Sequence, residues 1–186
     1  MHRISYLLLV ILLGILGTGC SMVAPHYSAS IENVQKLKDG GTYTAKVGAF
    51  TSKSDPANAN PISMRGSSMT SPYEGSYANY LAEAIKAELV MAGKLAPGSD
   101  VEISGVLLKN DIDAATSVGT GDIQARFLVK RNGQVRYDQV KTAQNKWESS
   151  FAGAVALPRA VQEYPRMVQA LLGELYSDKA FLQALK

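Results

Sequence analysis

The sequence predicts an α/β (α+β) two-layer sandwich, in which a four-stranded, mostly antiparallel sheet carries two main helices on one face. Two long segments have apolar residues at helical spacing, and several shorter segments alternate with a period of two. These segments follow one another in the order β-α-β-β-β-α. Packing both helical stripes against one face of the sheet buries all of these apolar residues in two layers.

The chain opens with the features of a secretory signal peptide. His2-Arg3 is a short basic start, residues 4–16 are almost entirely apolar, and the small residues Gly17 to Gly19 follow. The apolar stretch is shorter than the ~20 residues that a membrane-spanning helix needs. We therefore predict residues 1–19 as a signal peptide.

Cys20, the only cysteine of the chain, comes directly after this stretch. Small residues followed by a cysteine at this position resemble the lipobox of bacterial lipoproteins. The resemblance implies cleavage before Cys20, a diacylglycerol thioether on its thiol, and an acylated (for example palmitoylated) new N-terminus. Ser21, being a residue other than Asp, implies sorting to the outer membrane. The alternatives are an ordinary secretory signal with an incidental Cys20, or an uncleaved anchor.

Residues 20–38 are predicted as the lipidated N-terminus and a tether, because the stretch from Ser21 to Ser30 is short, polar and interrupted by Pro25. Residues 39–186 are predicted as one globular domain, which is long enough to bury a core. Loss of Arg3 with the signal lowers the formal net charge from +3 to +2. This balance predicts no nucleic-acid partner.

The first strand is predicted at Thr42–Phe50, where threonine, tyrosine and valine alternate with small residues. The stretch from Thr51 to Thr70 is rich in Pro, Asn and Ser and is predicted as an irregular loop that adds little to the core. Ser71 or Ser76 is predicted to cap the first main helix, whose apolar stripe runs from Tyr77 to Ala92.

Two further strands are predicted at Val101–Leu108 and Ile123–Lys130, with a loop from Asn110 to Gly121 between them. A fourth strand runs from Gln134 toward Trp147, with a bulge near Gln139. Alternation of apolar and polar residues in these segments indicates a sheet with one buried and one solvated face.

Asn132-Gly133 predicts a hairpin between the last two strands. A two-residue loop would place Val129 opposite Arg136, whereas a three-residue loop would place Val129 opposite Val135. The second register pairs apolar side chains with each other, so we predict it.

Apolar residues from Val161 to Leu175 keep helical spacing through Pro165 and predict the second main helix. A proline inside a helix removes one hydrogen bond and clashes with the preceding turn, so we expect a kink or a junction of two helices there. Ser177-Asp178 is predicted to cap a last short helix that carries Phe181.

No catalytic residue, metal site or cofactor-binding site is predicted. After the predicted cleavage His26 is the only histidine, and it lies beside Pro25 in the predicted tether. Histidine-dependent nucleophile pairs, triads and zinc sites need a histidine in a rigid pocket. We therefore expect that this protein is not an enzyme.

Two short motifs resemble ligand sites but favour structural interpretations. Residues 110–113 cluster side-chain oxygens, yet they offer too few ligands for calcium, so a turn at a strand end is predicted. Gly119-Thr120-Gly121 resembles a phosphate-binding turn, but it leads into a predicted strand and not into a helix.

Four residues form a candidate partner surface near the start of the first main helix. Tyrosine and methionine are enriched at protein interfaces, and several lie close together in this part of the sequence. The four are Met64, Met69, Tyr73 and Tyr80. The alternative is that Tyr77 belongs to the core and the other side chains cover the helix edge.

The element order across residues 42–185 is similar to that of small envelope lipoproteins, such as auxiliary lipoproteins of ABC transporters and the lipopolysaccharide-assembly lipoprotein. The chain as a whole resembles an uncharacterised lipoprotein family of Gram-negative Proteobacteria. This resemblance implies a non-catalytic binding or scaffolding component of an envelope transport or assembly system. It would be anchored to the outer membrane through Cys20, face the periplasm and bind an envelope protein.

Two other functions remain open from the sequence. The first is a periplasmic carrier of a lipid or small molecule, which would need an interior larger than its own side chains fill. The second is a glycan hydrolase that uses carboxylates and needs no histidine. A tightly packed interior would instead favour a scaffold.

Overall fold

The computed structural model describes residues 21–186, so the predicted signal peptide and Cys20 lie outside the described residues. The elements, in chain order, are β1 (Ser21–Val23), α1 (Ile31–Asp39), β2 (Lys46–Ser52), a 3₁₀ turn (Pro56–Asn58), β3 (Ile62–Met64), β4 (Ser67–Thr70), α2 (Tyr77–Ala92), β5 (Val101–Asp113), β6 (Val118–Arg131), β7 (Gln134–Glu148), α3 (Gly153–Ser177) and α4 (Lys179–Ala184). Within residues 21–186, no helix is long and apolar enough to cross a membrane.

The main sheet has four strands in the order β2-β5-β6-β7. The strands β2 and β5 are parallel, and the other two pairs are antiparallel. Helix α2 packs on β2 and β5, and helix α3 packs on β6 and β7. The expected α+β class is therefore confirmed, although the architecture contains more than the one predicted sheet.

A second sheet of three strands, in the order β1-β4-β3, comes from residues predicted to be irregular. Ile62 and Met64 alternate inward on β3, and Met69 does so on β4; all three are at most 2% exposed. The tight turn between the strands uses positive φ at Arg65 (50°) and Gly66 (80°). The loop predicted for residues 51–70 is therefore wrong, because a few apolar residues in polar sequence suffice for strands this short.

The segment predicted as a tether, residues 20–38, is folded from Ser21 onward. Ser21 pairs with Ser68 as the first residue of β1. Ser30 caps α1, and Val34 and Leu37 of that helix are buried, which packs it against α2 and α3. A helix of nine residues with only two buried apolar side chains leaves a weak periodic signal, and this is why the sequence indicated a linker.

Helix α2 follows its prediction closely. Ser76 is the N-cap and accepts a hydrogen bond from the Asn79 amide at 3.2 Å. Gly93 ends the helix in the left-handed region, with φ of 69°. Because a Ser76 cap starts the helix later than Ser71 would, Glu74 and Gly75 lie in a turn before it, both with positive φ.

The hairpin between β6 and β7 has a two-residue turn, Asn132-Gly133, with φ of 50° and 79°. Its register shifts by one residue directly beside the turn, so that Val129 lies opposite Tyr137 and not opposite Val135. The predicted three-residue loop is therefore wrong. Val129 still lies opposite a buried side chain, because Tyr137 is buried as well. The register shift is a bulge that places one extra residue of β7 beside the turn.

We expect Gly133→Val to destabilise the domain, because a β-branched residue resists the positive φ that this turn requires. The cost should be about 1–3 kcal/mol, as for other residues held in disfavoured backbone regions. Urea unfolding measures it. Asn132→Gly, which keeps positive φ accessible, should change the midpoint far less, and equal midpoints for both variants would contradict the turn geometry.

Helix α3 runs as one helix of 25 residues through Pro165, where a kink or a junction of two helices was expected, so the junction is not formed; Pro158 lies in its first two turns. Its buried stripe runs from Ala156 to Tyr176. The short terminal helix α4 is confirmed: the Asp178 side chain caps it by accepting a hydrogen bond from the Ala180 amide at 2.8 Å. The second main helix therefore packs along the antiparallel half of the sheet, on β6 and β7.

Candidate functional site

The most distinctive chemistry lies where residues 21–39 meet α2 and α3, a region that we call the N-terminal junction. At its centre is Glu88 of α2, which is fully buried. Its Oε1 accepts hydrogen bonds from the Tyr27 hydroxyl at 2.5 Å, the Ser30 amide at 3.1 Å and the Asn33 side-chain amide at 3.2 Å. One carboxyl group thus fastens the N-terminal segment to the body of the domain.

Burial raises the pKa of Glu88, and the hydrogen bonds from its neighbours offset only part of this effect. Burial also raises the pKa of Tyr176, which lies beside the same carboxyl group. The Tyr176 hydroxyl neighbours the Glu88 carboxyl group, and within residues 21–186 neither this hydroxyl nor Oε2 of Glu88 has another hydrogen-bond partner. Because Glu88 is sealed from solvent, no substrate can reach it, and its role is to hold the junction.

The raised pKa of Glu88 makes the stability of the junction depend on pH. A carboxyl group with a raised folded-state pKa contributes stability below its ordinary value of 4.5, and that contribution is lost as the pH rises through the folded-state value. We expect Glu88→Gln, which keeps the shape and cannot ionise, to gain stability relative to wild type as the pH rises from 4 to 8. Urea unfolding across this range measures the difference.

Glu83→Gln is the matched control, since it lies on the same helix at a half-buried position. Glu88→Gln removes a buried carboxyl group, whereas Glu83→Gln removes one that solvent reaches. The stability of Glu83→Gln relative to wild type should therefore not rise comparably with pH. A constant difference between Glu88→Gln and wild type at all pH values would contradict the burial effect.

A cluster of tyrosines extends from the junction along α2. The rings of Tyr73 and Tyr80 are 5.3 Å apart, and those of Tyr80 and Tyr164 are 4.9 Å apart, both edge-to-face. The Tyr80 hydroxyl donates to the Pro25 carbonyl at 2.9 Å, and the Tyr77 hydroxyl donates to the Met69 carbonyl at 2.6 Å. These hydroxyls fasten the N-terminal segment and the three-stranded sheet to α2.

The predicted partner surface is corrected by this arrangement. Met64, Met69 and Tyr80 are at most 2% exposed, and only Tyr73 is partly accessible. The Tyr80 ring can be buried this fully because its hydroxyl donates a hydrogen bond to a backbone carbonyl. The alternative interpretation placed Tyr77 in the core and the other side chains at the helix edge. The structure buries Tyr77 accordingly, buries Tyr80 as well, and leaves Tyr73 partly accessible.

Tyr73 lies in a surface depression of about 420 Å³ at the start of α2, which we call the Tyr73 depression. Its lining residues are Pro72, Tyr73, Glu74, Asn79, Ala82 and Glu83. His26 stands edge-on to the Tyr73 ring at 5.2 Å. Glu74 accepts a hydrogen bond from the Asn79 side chain at 3.1 Å. The residues that line the Tyr73 depression thus combine an aromatic ring with polar groups, which suits binding, and they do not place a nucleophile beside a base.

The two short motifs of the sequence serve the sheet. Asn110 lies on the buried face of β5, whereas Asp111 and Asp113 lie on the exposed face, so their oxygens do not converge. Gly119 makes room for the indole of Trp147: an added Cβ would lie 2.2 Å from that ring. Within residues 21–186, no group of three His, Cys, Asp or Glu side chains could hold a metal ion.

The interior between the helices and the sheet is filled by side chains. Leu81 and Ile85 of α2, Phe127 of β6 and Leu171 of α3 are at most 1% exposed. Five surface depressions have volumes of about 220–460 Å³. Among residues 21–186, these depressions are places where a binding partner could sit.

No protein-family model matches the chain, and no curated protein matches it. Solved structures do. Protein XCC0632 from Xanthomonas campestris, of the DUF330 family, aligns with a TM-score of 0.60 and 14% identity over 88% of this chain and 96% of that one. The hypothetical protein CT253 from Chlamydia trachomatis aligns with a TM-score of 0.51 and 10% identity over 77% and 99%.

A third structure, of a candidate lipoprotein from Caulobacter crescentus, aligns more weakly, with a TM-score of 0.46 and 12% identity over 83% of this chain and 97% of that one. At such identities a structural likeness establishes the fold and not the activity. The chain thus has the same overall fold as XCC0632 and CT253, over nearly the whole length of both.

Proposed function

We propose that this protein is a membrane-anchored envelope lipoprotein that acts as a non-catalytic binding or scaffolding component of an envelope transport or assembly system. One observation carries the proposal. The strand β1 begins at Ser21, directly after Cys20 of the lipobox-like signal. A lipid on Cys20 would therefore hold the folded domain itself against the membrane.

The physical chemistry of acyl chains supports a durable anchor. Each buried methylene contributes about 0.8 kcal/mol, so one chain binds reversibly, whereas two or more chains hold a protein stably. The modification implied by the lipobox resemblance supplies more than one chain. The same resemblance, with Ser21 after the cysteine, supports the outer membrane as the location and the periplasm as the compartment that the domain faces.

The packed interior supports a scaffold over a carrier. A carrier would need space between the helices and the sheet, and the side chains of α2, β6 and α3 fill that layer. The hydrolase alternative would need two free carboxyl groups flanking a substrate. Glu88 is sealed, Glu74 is bonded to Asn79, and Glu83 is paired with Lys86 at 2.5 Å, so this alternative is disfavoured.

The anchor is tested by Cys20→Ser. We expect the variant to move from the membrane to the soluble fraction or to accumulate as uncleaved precursor, because the thiol that would carry diacylglycerol is absent. Cell fractionation with a lipid-labelling assay measures both. Ser21→Ala is the matched control and should stay on the membrane with its label. Membrane association of the wild type without lipid label would refute the lipoprotein assignment.

The scaffolding role is tested with photo-cross-linking residues placed in intact cells at three positions. Ala82 lies in the Tyr73 depression, Thr142 on the outer face of the main sheet, and Gln183 on α4. We expect Ala82 to capture one envelope protein reproducibly, because the Tyr73 depression combines an aromatic ring with polar groups. Capture from Thr142 would place the interface on the sheet, and absence of capture from all three would contradict scaffolding through these surfaces.

A further inference from the structure

One end of the domain, which we call the anchor end, combines the start of β1 with three connections. Ser21 pairs with Ser68, three residues from the turn at Arg65. The Arg65 guanidinium donates to the carbonyl oxygens of Ser150 at 3.1 Å and Phe151 at 2.7 Å. The Ser149 amide donates to the Ser117 carbonyl at 2.8 Å, which brings the β5–β6 connection to the same place.

The strand β1 begins at this end. It runs parallel to β4, which itself runs away from the Arg65 turn, so Ser21, the first residue of β1, lies on the turn side. Paired strands are about 4.8 Å apart, and the three residues from Ser68 to Arg65 span at most ~10 Å. Since Cys20 is bonded to Ser21, a lipid on Cys20 would place the membrane surface beside the anchor end.

The anchor end also exposes apolar side chains. Phe151 is 73% exposed, Val155 is 59% exposed, and Val118 is 52% exposed. Among the Phe, Tyr and Trp rings of residues 21–186, Phe151 alone is exposed, and the ten residues from Ser149 to Pro158 carry no charge. The three side chains belong to segments that meet at one end of the domain, since Val118 pairs with Glu148 and the Ser149 amide donates to the Ser117 carbonyl. Exposed apolar side chains that are grouped at one end mark an interaction site.

The backbone that carries Phe151 is fixed. Arg65 binds the carbonyls of Ser150 and Phe151, and the Ser150 hydroxyl accepts a hydrogen bond from the Ala152 amide at 3.1 Å. Helix α3 starts directly afterwards at Gly153. Hydrogen bonds on both sides of Phe151 therefore restrain the backbone that presents its exposed ring, which reduces the entropy lost when the ring binds elsewhere.

We propose that Phe151, Val155 and Val118 insert into the interfacial layer of the membrane that holds the lipid anchor. This inference rests on the proposed anchoring through Cys20. The lipid confines the anchor end to the bilayer surface, which makes the second contact effectively intramolecular. Aromatic and aliphatic side chains bind at this layer in proportion to the apolar area that they bury. The two contacts together would fix the orientation of the domain.

The test uses the full acylated protein in vesicles of phosphatidylethanolamine and phosphatidylglycerol that contain a lipid-borne quencher. Cys20 is the only cysteine and would be blocked by its lipid, so one fluorophore can be attached to an introduced cysteine. Ala154→Cys, at an exposed position next to Val155, reports on the anchor end and leaves the three apolar side chains in place. Val135→Cys is the matched control, since it is 54% exposed but lies beside the opposite Asn132-Gly133 turn. We expect several-fold stronger quenching at position 154 than at 135.

A second variant tests the role of the ring. Adding Phe151→Ser to the labelled Ala154→Cys protein should reduce quenching severalfold while the protein still sediments with the vesicles. Equal quenching at positions 154 and 135, or quenching unaffected by Phe151→Ser, would overturn the insertion and leave the anchor intact. Failure of the parent protein to sediment would instead overturn the anchor itself. A photo-cross-linker at position 151 that captures a protein and no lipid would assign this end to a partner.

Discussion

Replacing Asn58–Ser68 with a Gly-Ser linker is expected to unfold the domain or lower its melting temperature sharply. The replacement removes the strand β3, with Ile62 and Met64, and each such buried side chain contributes about 1.5–3 kcal/mol. It also removes Asn58, whose side-chain amide donates to the carbonyls of Lys53 at 2.9 Å and Leu107 at 3.0 Å. Together, the loss of these two buried side chains and two hydrogen bonds approaches the ~5–15 kcal/mol that stabilises a whole domain.

The sequence alone led to the opposite expectation, that this segment adds little to the core. Two point variants distinguish the cases on a single strand. Ile62→Ala should cost about 2–5 kcal/mol through its cavity, whereas Ser63→Ala, on the exposed face, should stay within about 0.5 kcal/mol. Thermal unfolding of both variants and of the linker replacement measures this, and an unchanged melting temperature in the replacement would show that β3 is dispensable.

Gly105→Val is expected to be the most damaging single substitution in the main sheet. Gly105 of β5 lies opposite Phe127 of β6, and an added Cβ would sit 2.6 Å from the Arg126 carbonyl oxygen and 2.7 Å from the Phe50 ring. Because one obstacle is the backbone of the neighbouring strand, the strand itself must move. Gly105→Ala should reach at least the upper part of the ~1–3 kcal/mol range for overpacking, and Val should exceed it.

Gly98→Ala is the matched control for Gly105→Ala, since a Cβ at position 98 would meet nothing within 4 Å. It should change the free energy of unfolding by no more than about 1 kcal/mol and could raise it by restricting the unfolded chain. Equal effects of the two substitutions would mean that β5 and β6 adjust to the added Cβ at position 105 without loss of stability. Urea unfolding of both variants gives the comparison.

Long elements with strong signals could be predicted from the sequence. Helix α2 combines a serine cap, a stripe of apolar residues and a terminal glycine, and the structure confirms each. The strands β5 to β7 were also predicted, although β5 continues to Asp113 where a loop was expected. Its alternation persists there through Asn110 and Ile112, but polar residues between them resembled a turn.

The candidate site was less accessible to sequence reasoning. Strands of three or four residues are too short to show an alternation of apolar and polar side chains. The strands β1, β3 and β4 were therefore not predicted from their mostly polar sequence. Tyr80 resembled an interface residue because its side chain is amphipathic. Only the fold shows that its hydroxyl donates a hydrogen bond to the Pro25 carbonyl. Glu88 gave no signal at all, since a single carboxylate in a helix is ordinarily solvated.

The N-terminal junction also bears on the order of events during maturation. The Asn33 side chain donates to the carbonyl of Gln169, 136 residues away, and Gln169 donates to the Ser28 carbonyl, 141 residues away. Contacts this distant cannot form until α3 has been made, and closing such loops costs entropy that local structure does not. In the exported lipoprotein proposed above, the N-terminal junction would therefore close only after α3 has been exported. Until then the hydrogen bonds of Asn33 and Gln169 could not hold the segment from Ser28 to Asn33 against the rest of the domain.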